Sequence, residues 1–172
     1  MRIYLIGYMG SGKSTLGPKL AHALDFSWID TDDLFTTRKR TSIAQFFKEE
    51  GDAAFREAEH QILLEISEME QVVVSTGGGM PIYHGNMDLM NDTGITVYLQ
   101  ANPQLLLKRI QQSEQKRPLL MELRGEEAMK RIQIHLDFRE PIYTQAKIIV
   151  DASKPDIDSV VKQIQAISER TT

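Results

Sequence analysis

The chain has 172 residues, 41% of them hydrophobic and 26% charged, a balance that suits one folded domain and excludes disordered, collagen-like and low-complexity polypeptides. Lys plus Arg total 20 against 24 Asp plus Glu, a formal charge of −4, so no overall positive field exists to hold nucleic acid. The absence of cysteine excludes disulfides, thiolate zinc sites, iron-sulfur clusters and a cysteine nucleophile.

A first strand is predicted over residues 3–6, running straight into Gly7-Tyr8-Met9-Gly10-Ser11-Gly12-Lys13-Ser14 and then the helical spacing of Leu16, Leu20, Ala23 and Leu24. A second apolar run at 26–29 ends at Asp30, with Asp32 and Asp33 close behind. Ser42 with Gln45 predicts a capping box ahead of Phe46 and Phe47, and a helix over 52–70 buries the stripe Phe55, Ala58, Ile62, Leu63 and Ile66. The third run, 72–74, leads into Ser75, Thr76 and three glycines. A fourth strand at 95–99 precedes a helix that Pro103 opens and Leu105, Leu106 and Leu107 line. Residues 113–125 fit neither period and read as a lid or a surface loop. A helix over 126–138 would bury Met129, Ile132, Ile134 and Leu136; a strand at 148–150 and a helix over 155–170, with Ile157, Val160, Val161, Ile164 and Ile167, complete the chain. Continuous apolar strands alternating with amphipathic helices predict a single α/β domain with a parallel sheet buried on both faces.

No segment approaches the roughly 20 consecutive apolar residues of a bilayer span, and the apolar start is too short for a signal peptide, so a cytoplasmic protein without a membrane partner is expected. His22, His60, His84 and His135 are isolated in sequence and share no metal-ligand spacing.

The glycine-rich segment fits Gly-x4-Gly-Lys-Ser/Thr between a strand and a helix, the context a phosphate loop requires. Its amides face an anion at a helix N-terminus, Lys13 supplies a charge to the β and γ phosphates, and the Ser14 hydroxyl is a hard oxygen suited to Mg²⁺. Because the third strand ends without a carboxylate, the metal's acidic partner must come from elsewhere. Asp30, at the carboxyl edge of the sheet, is the candidate, although an acid-rich helix start would look the same. Gly77, Gly78 and Gly79 lie at the same edge, either bringing backbone close to a small ligand or forming a plain turn. Arg56 and Glu59 share a helix face, so Glu59 either fixes the guanidinium for a ligand or forms an exposed salt bridge.

Together these segments resemble the shikimate kinases over nearly the whole chain. The resemblance rests on Gly7 through Thr15, on Asp30-Thr31-Asp32, on Ser42-Ile43 with Phe46, and on Gly51 with Phe55-Arg56 and Glu59. It continues in Ser75-Thr76-Gly77-Gly78-Gly79, Arg117-Pro118-Leu119-Leu120 and Arg139-Glu140-Pro141-Ile142-Tyr143. It implies a three-layer α/β/α sandwich of nucleoside-monophosphate-kinase type, with a five-stranded parallel sheet in order 2-3-1-4-5, a substrate-binding segment at about 31–60 and a lid at about 113–125. It also implies transfer of the ATP γ-phosphate to the 3-hydroxyl of shikimate, on the way to chorismate and the aromatic amino acids.

By resemblance, ATP is bound by Gly10, Ser11, Gly12, Lys13, Ser14, Thr15, Arg109 and Arg117, with Arg109 near adenine and Arg117 closing from the lid. Asp32 holds the accepting hydroxyl, Arg56 and Arg139 clamp the substrate carboxylate, and the substrate-binding run Gly77, Gly78 and Gly79 contacts the ring hydroxyls through its middle. Lys13, Asp32 and Arg117 form the catalytic set, and Ser14 with Asp30 holds Mg²⁺, direct and water-mediated contact at Asp30 both staying open. A monomer with ATP and shikimate as its partners is expected. Two departures from the family pattern, Thr36 and Asp52, are expected to touch none of these residues, and base recognition at 151–155 stays open. The competing readings are a gluconate or nucleoside-monophosphate kinase and, more remotely, a nucleotide-dependent regulatory module, although no Asn-Lys-x-Asp guanine-reading motif occurs.

Overall fold

Apolar runs buried on both faces can satisfy their backbone only by pairing side by side, and the five runs do so in one sheet whose pairs are all parallel. The computed structural model describes residues 1–113 and 125–171. Along the chain come β1 (Arg2–Ile6), α1 (Lys13–Leu24), β2 (Ser27–Asp30), α2 (Thr31–Lys39), α3 (Ile43–Ser67) and β3 (Val72–Ser75). A 3₁₀ turn (Met80–Ile82) follows, then α4 (Asn86–Thr93), β4 (Ile95–Gln100), α5 (Pro103–Gln112), α6 (Glu126–Tyr143), β5 (Ile148–Asp151) and α7 (Ile157–Thr171). The strand order is β2-β3-β1-β4-β5, as the resemblance implied.

Alternate residues of β1, β3 and β4 feed opposite layers, whereas edge strand β5 buries Ile148 and Val150 and leaves Ile149 47% exposed, so the sheet is not buried on both faces there. Ile3, Leu5, Val73 and Val97 pack with Leu16, Leu20, Val160 and Ile164 of α1 and α7. Tyr4, Ile6, Val72, Val74 and Tyr98 pack with Phe35, Phe55, Ile62, Leu63 and Met90 of α2, α3 and α4. A small third cluster, Tyr8, Leu106, Ile132 and Leu136, joins the phosphate loop to α5 and α6. In the register Leu5 pairs with Ser75 and Asp30 with Ser75, so β1, β2 and β3 end level and deliver Gly7, Asp30 and Thr76 to one edge.

Several elements differ from their sequence reading. Helix α4 was not anticipated and α2 entered only as the alternative of an acid-rich helix start at Asp30, because each buries only two or three side chains and presents no repeating stripe: Thr31 and Phe35 in α2, Asn86, Met87 and Met90 in α4. Ser42 caps α3 by accepting from Gln45 N at 3.1 Å, but the Gln45 side chain turns to Glu49, so only half of the capping box forms. Gly51, at φ 84 and ψ 175, interrupts α3 and lets its second half turn Phe55 and Arg56 inward. In α6 the buried positions are Ala128, Ile132, Leu136 and Tyr143, whereas Ile134 is 66% exposed and was wrongly assigned to the core face. That helix also runs past its expected end at 138 and through Pro141 to Tyr143, which is fully buried and donates to Gly78 O.

Helix α1 lies close against the sheet at Gly17, where Trp28 Nε1 donates to Ser75 Oγ at 3.0 Å and Ser75 Oγ donates to the Lys13 carbonyl at 3.0 Å. A Cβ at Gly17 would stand 2.3 Å from Trp28 Nε1 and 2.7 Å from Ser75 Oγ. Gly17→Ala is therefore expected to cost about 1–3 kcal/mol by overpacking, read from urea unfolding. A variant within about 0.5 kcal/mol of the parent, the range of an ordinary surface change, would contradict this close approach.

Candidate active site

The loop after β1 turns back on itself at Gly10 (φ 79) and Gly12 (φ 105), backbone values that a Cβ would strain, and Gly12 caps α1. Lys13 is 8% exposed, and its Nζ donates to Gly7 O at 2.8 Å and Tyr8 O at 3.0 Å. The ammonium thus lies across the mouth of the loop, held by carbonyl oxygens. A cleft of about 520 Å³ opens there, lined by the loop from Met9 through Thr15 and by Asp30, Asp32, Gly78, Arg109, Ala152 and Pro155.

Asp30 does two things at once. Its Oδ1 accepts from Asp32 N at 3.0 Å as the cap of α2, and its Oδ2 accepts from Ser14 Oγ at 2.7 Å on the cleft wall. The acid-rich helix start and the cleft carboxylate are therefore one feature. A hydroxyl beside a carboxylate fits Mg²⁺, which takes a few protein oxygens and otherwise keeps water or phosphate ligands. Among the described residues no cluster of three or more His, Cys, Asp and Glu forms an all-protein cage.

The glycine run follows β3 and is anchored by Thr31 Oγ1, which accepts from Gly77 N at 2.8 Å. Each glycine faces a different neighbour. A Cβ at Gly77 would meet Asp32 Oδ1 at 2.8 Å and Glu59 Oε1 at 2.9 Å; one at Gly79 would meet Arg56 Nη1 at 2.5 Å; one at Gly78 would come 3.7 Å from Arg139 Nη1. Asp32, Glu59, Arg56 and Arg139 thus converge on nine backbone atoms' length of chain from elements far apart in sequence. Asp32 and Gly78 reach the cleft wall, while Arg56, Gly77, Gly79 and Arg139 stand behind it.

Arg56 is not an exposed ion pair. Its side chain is 13% exposed, its Nη1 donates to Glu59 Oε2 at 2.5 Å, and Glu59 is 5% exposed at the side chain. Asp52 Oδ1 lies 3.3 Å from Arg56 Nε, so the expectation that Asp52 touches none of the site residues is corrected. Thr36, by contrast, only donates to Asp33 O at 3.0 Å. Burial pushes the Glu59 carboxyl up to about 7; Arg56 pulls it down, and the negative charges of Asp32 and Asp52 push it further up.

Arg139 comes from α6 and stacks with its Cζ 5.4 Å from the Tyr8 ring centre. One turn earlier His135 Nδ1 meets Tyr8 OH at 2.7 Å, and one turn later Tyr143 OH donates to Gly78 O. Burial raises Tyr143 to about 12, which keeps it a donor. Burial, with Arg139 and Arg131, lowers His135. Arg109 donates to Ser11 O at 3.0 Å and Ala152 O at 2.7 Å, stapling the phosphate loop to the segment after β5 and forming the far wall of the cleft. Arg117, with most of the 113–125 segment, lies outside the described residues.

Thr31 and Tyr143 escaped sequence reasoning as anchors of the glycine run. Thr31 was visible only as a spacer between acids, and nothing in its spacing marks a backbone partner 46 residues away. The histidines are not all isolated either: the His60 and His84 rings lie 5.4 Å apart.

A phosphate loop beneath a cleft, an acidic strand end and a glycine run faced by two arginines, on this sheet order, define a phosphate-loop kinase. The shikimate kinase family model matches residues 9–168. The chain is 41% identical to the shikimate kinase of Bacteroides thetaiotaomicron, over 98% of this chain and 99% of that one. A crystal structure of the enzyme from that organism superposes with a TM-score of 0.90, covering 98% of each chain. The Acinetobacter baumannii shikimate kinase in complex with shikimate gives 0.85 at 28% identity, covering 99% of this chain and 94% of that one. A gluconokinase from Sinorhizobium meliloti shares the fold at 0.59 and 16% identity, over 99% and 92%. The chain belongs to the shikimate kinase family and is a phosphotransferase.

The Glu59 shift has a thermodynamic consequence. Between the ordinary value of 4.5 and about 7 the folded chain binds more protons at this site than the unfolded chain. The stability this provides is complete below 4.5 and is lost as pH rises through 7. Urea unfolding of wild type relative to Glu59→Gln between pH 4.5 and 8 should show wild type losing on the order of 2–3 kcal/mol. Parallel curves for the two proteins would show that Glu59 is not raised.

Proposed function

We propose that this chain transfers the γ-phosphate of ATP to the 3-hydroxyl of shikimate, giving shikimate 3-phosphate and ADP, as a single domain. What supports the reading above all is the convergence of Asp32, Arg56 and Arg139 on the glycine run beside the phosphate loop. Two guanidiniums beside the glycine run suit a small carboxylic acid, since each can donate paired hydrogen bonds to its carboxylate. A regulatory module needs neither arginine; gluconate also carries a carboxylate, so shikimate is favoured over it by the family match and by the 41% identity to a shikimate kinase, against 16% to the gluconokinase.

In this reading Gly10, Ser11, Gly12, Lys13, Ser14 and Thr15 wrap the phosphates. The Lys13 ammonium exchanges its carbonyl partners for β and γ oxygens, and Arg109 borders the base. Arg56 and Arg139 orient the acid so that its hydroxyl faces the γ-phosphorus. Asp32 accepts a hydrogen bond from that hydroxyl. A carboxylate is too weak a base to remove the proton beforehand, so the proton moves to Asp32 as the oxygen–phosphorus bond forms and the bond to the ADP oxygen breaks. Most of the rate acceleration then comes from alignment and fixed charge. Ser14 and Asp30 would hold Mg²⁺, which offsets phosphate charge when bound. Arg117 would add a further positive charge from the lid. We also propose that it is a cytoplasmic monomer; among the described residues no helix is long and apolar enough to cross a membrane.

ADP release measured with shikimate, gluconate, AMP and no acceptor should respond to shikimate alone; stimulation by gluconate or AMP instead would overturn the reading. Lys13→Ala should keep the fold and lower kcat by about a hundredfold to a thousandfold. Arg139→Lys should raise KM for shikimate by about tenfold or more, because an ammonium cannot reproduce the fork, while KM for ATP stays put. An effect confined to ATP would mean the clamp is misassigned.

A further inference from the structure

Three aromatic rings surround the Arg56 guanidinium, and they do not play equal parts. The ring centres of Phe47 and Phe55 lie 5.7 and 5.1 Å from Arg56 Cζ, and that of Tyr83 lies nearest at 4.4 Å. Phe55 neighbours Arg56 in the second half of α3, and Phe47 comes from the first half, before the break at Gly51. Tyr83 comes from the opposite side, directly after the 3₁₀ turn, and is the ring that ties Arg56 to the glycine run.

The connection is short and rigid. Met80 N donates to Gly77 O at 3.1 Å, Ile82 N to Gly79 O at 3.0 Å and Asn86 N to Tyr83 O at 2.9 Å. The Asn86 side chain, 1% exposed, donates to Met80 O at 2.8 Å. The same turn grips α3 again one helical turn beyond Arg56, where His60 Nδ1 lies 2.6 Å from Asn86 Oδ1 and the His60 ring packs on His84. His84 holds φ 55, a left-handed backbone for a residue with a side chain, which persists only where neighbouring contacts enforce it.

We propose that Tyr83 is a positioning residue for the substrate carboxylate. Its ring centre lies 4.4 Å from Arg56 Cζ while Glu59 accepts from Nη1 and Asp52 approaches Nε without a hydrogen bond, leaving N–H groups at the guanidinium edge for a ligand. Because Tyr83 and Gly79 belong to one hydrogen-bonded turn, the ring sets the position of that edge relative to the backbone contacting the rest of the substrate. The inference rests on the reading of Arg56 as a carboxylate ligand.

Steady-state kinetics of Tyr83→Leu and Tyr83→Phe, with folding checked by circular dichroism, test it. Tyr83→Leu should raise KM for shikimate about fivefold to twentyfold, with kcat within about twofold and KM for ATP unchanged. Tyr83→Phe, which keeps the π face, should stay within about twofold of wild type in every constant. If leucine costs folding, Tyr83→Met provides bulk without a π face and should behave as leucine was expected to. An unchanged KM for shikimate in the folded non-aromatic variant overturns the role, as does equal loss in the phenylalanine variant or an equal rise in KM for ATP. Wild-type protein whose ATP consumption ignores shikimate would instead overturn the function proposed above, which keeps the two failures distinct.

Discussion

A cation held beneath the end of a sheet must be neutralised without being used up, and the pair formed by Arg56 and Glu59 meets that demand. Glu59 occupies one edge of the guanidinium and Asp52 approaches another, while aromatic rings cover its faces. The arrangement keeps a buried positive charge tolerable and leaves part of it directed at a ligand. The glycines are the other half of the same constraint. Any side chain at Gly77 or Gly79 would occupy the space taken by Asp32, Glu59 or Arg56, so charge and backbone can meet only where no Cβ intervenes.

The phosphate side solves the converse problem, gathering positive potential where an anion is to sit. Lys13, the loop amides and the start of α1 converge there, and Asp30 supplies the one carboxylate next to Ser14. Tyr8 joins the two halves: its backbone carbonyl receives Lys13, its ring carries Arg139 and its hydroxyl meets His135. Helix α6 is thereby fixed to the phosphate loop as well as to Gly78, so the nucleotide and acid sides share a common framework.

Much of this was legible in the chain alone. The five strands, the phosphate loop and the long apolar helices each carry a local period or a compact motif, and these depend on chemistry within a few residues. Helix α4 did not show and α2 showed only as an acid-rich start, because each rests on two or three buried side chains. Ile134 was misplaced because a pattern of apolar residues shows that a helix has a buried face without showing which of several apolar positions the neighbours cover. Asp52 looked like a silent substitution although its i, i+4 spacing to Arg56 puts the two side chains on one helix face.

By itself the sequence determined the class of sheet, the phosphate loop and the residue types that anionic ligands require, since glycine freedom, lysine charge and apolar periodicity are local properties. Tertiary structure decided which charges meet. Strands of matched length ending level brought Asp30, Thr76 and Gly7 to one edge, and α3 and α6 crossing that edge turned Arg56 and Arg139 toward the same glycines. Partners tens of residues apart leave no periodic trace. Only packing set the burial that raises Glu59 and the approach of Tyr83 to Arg56.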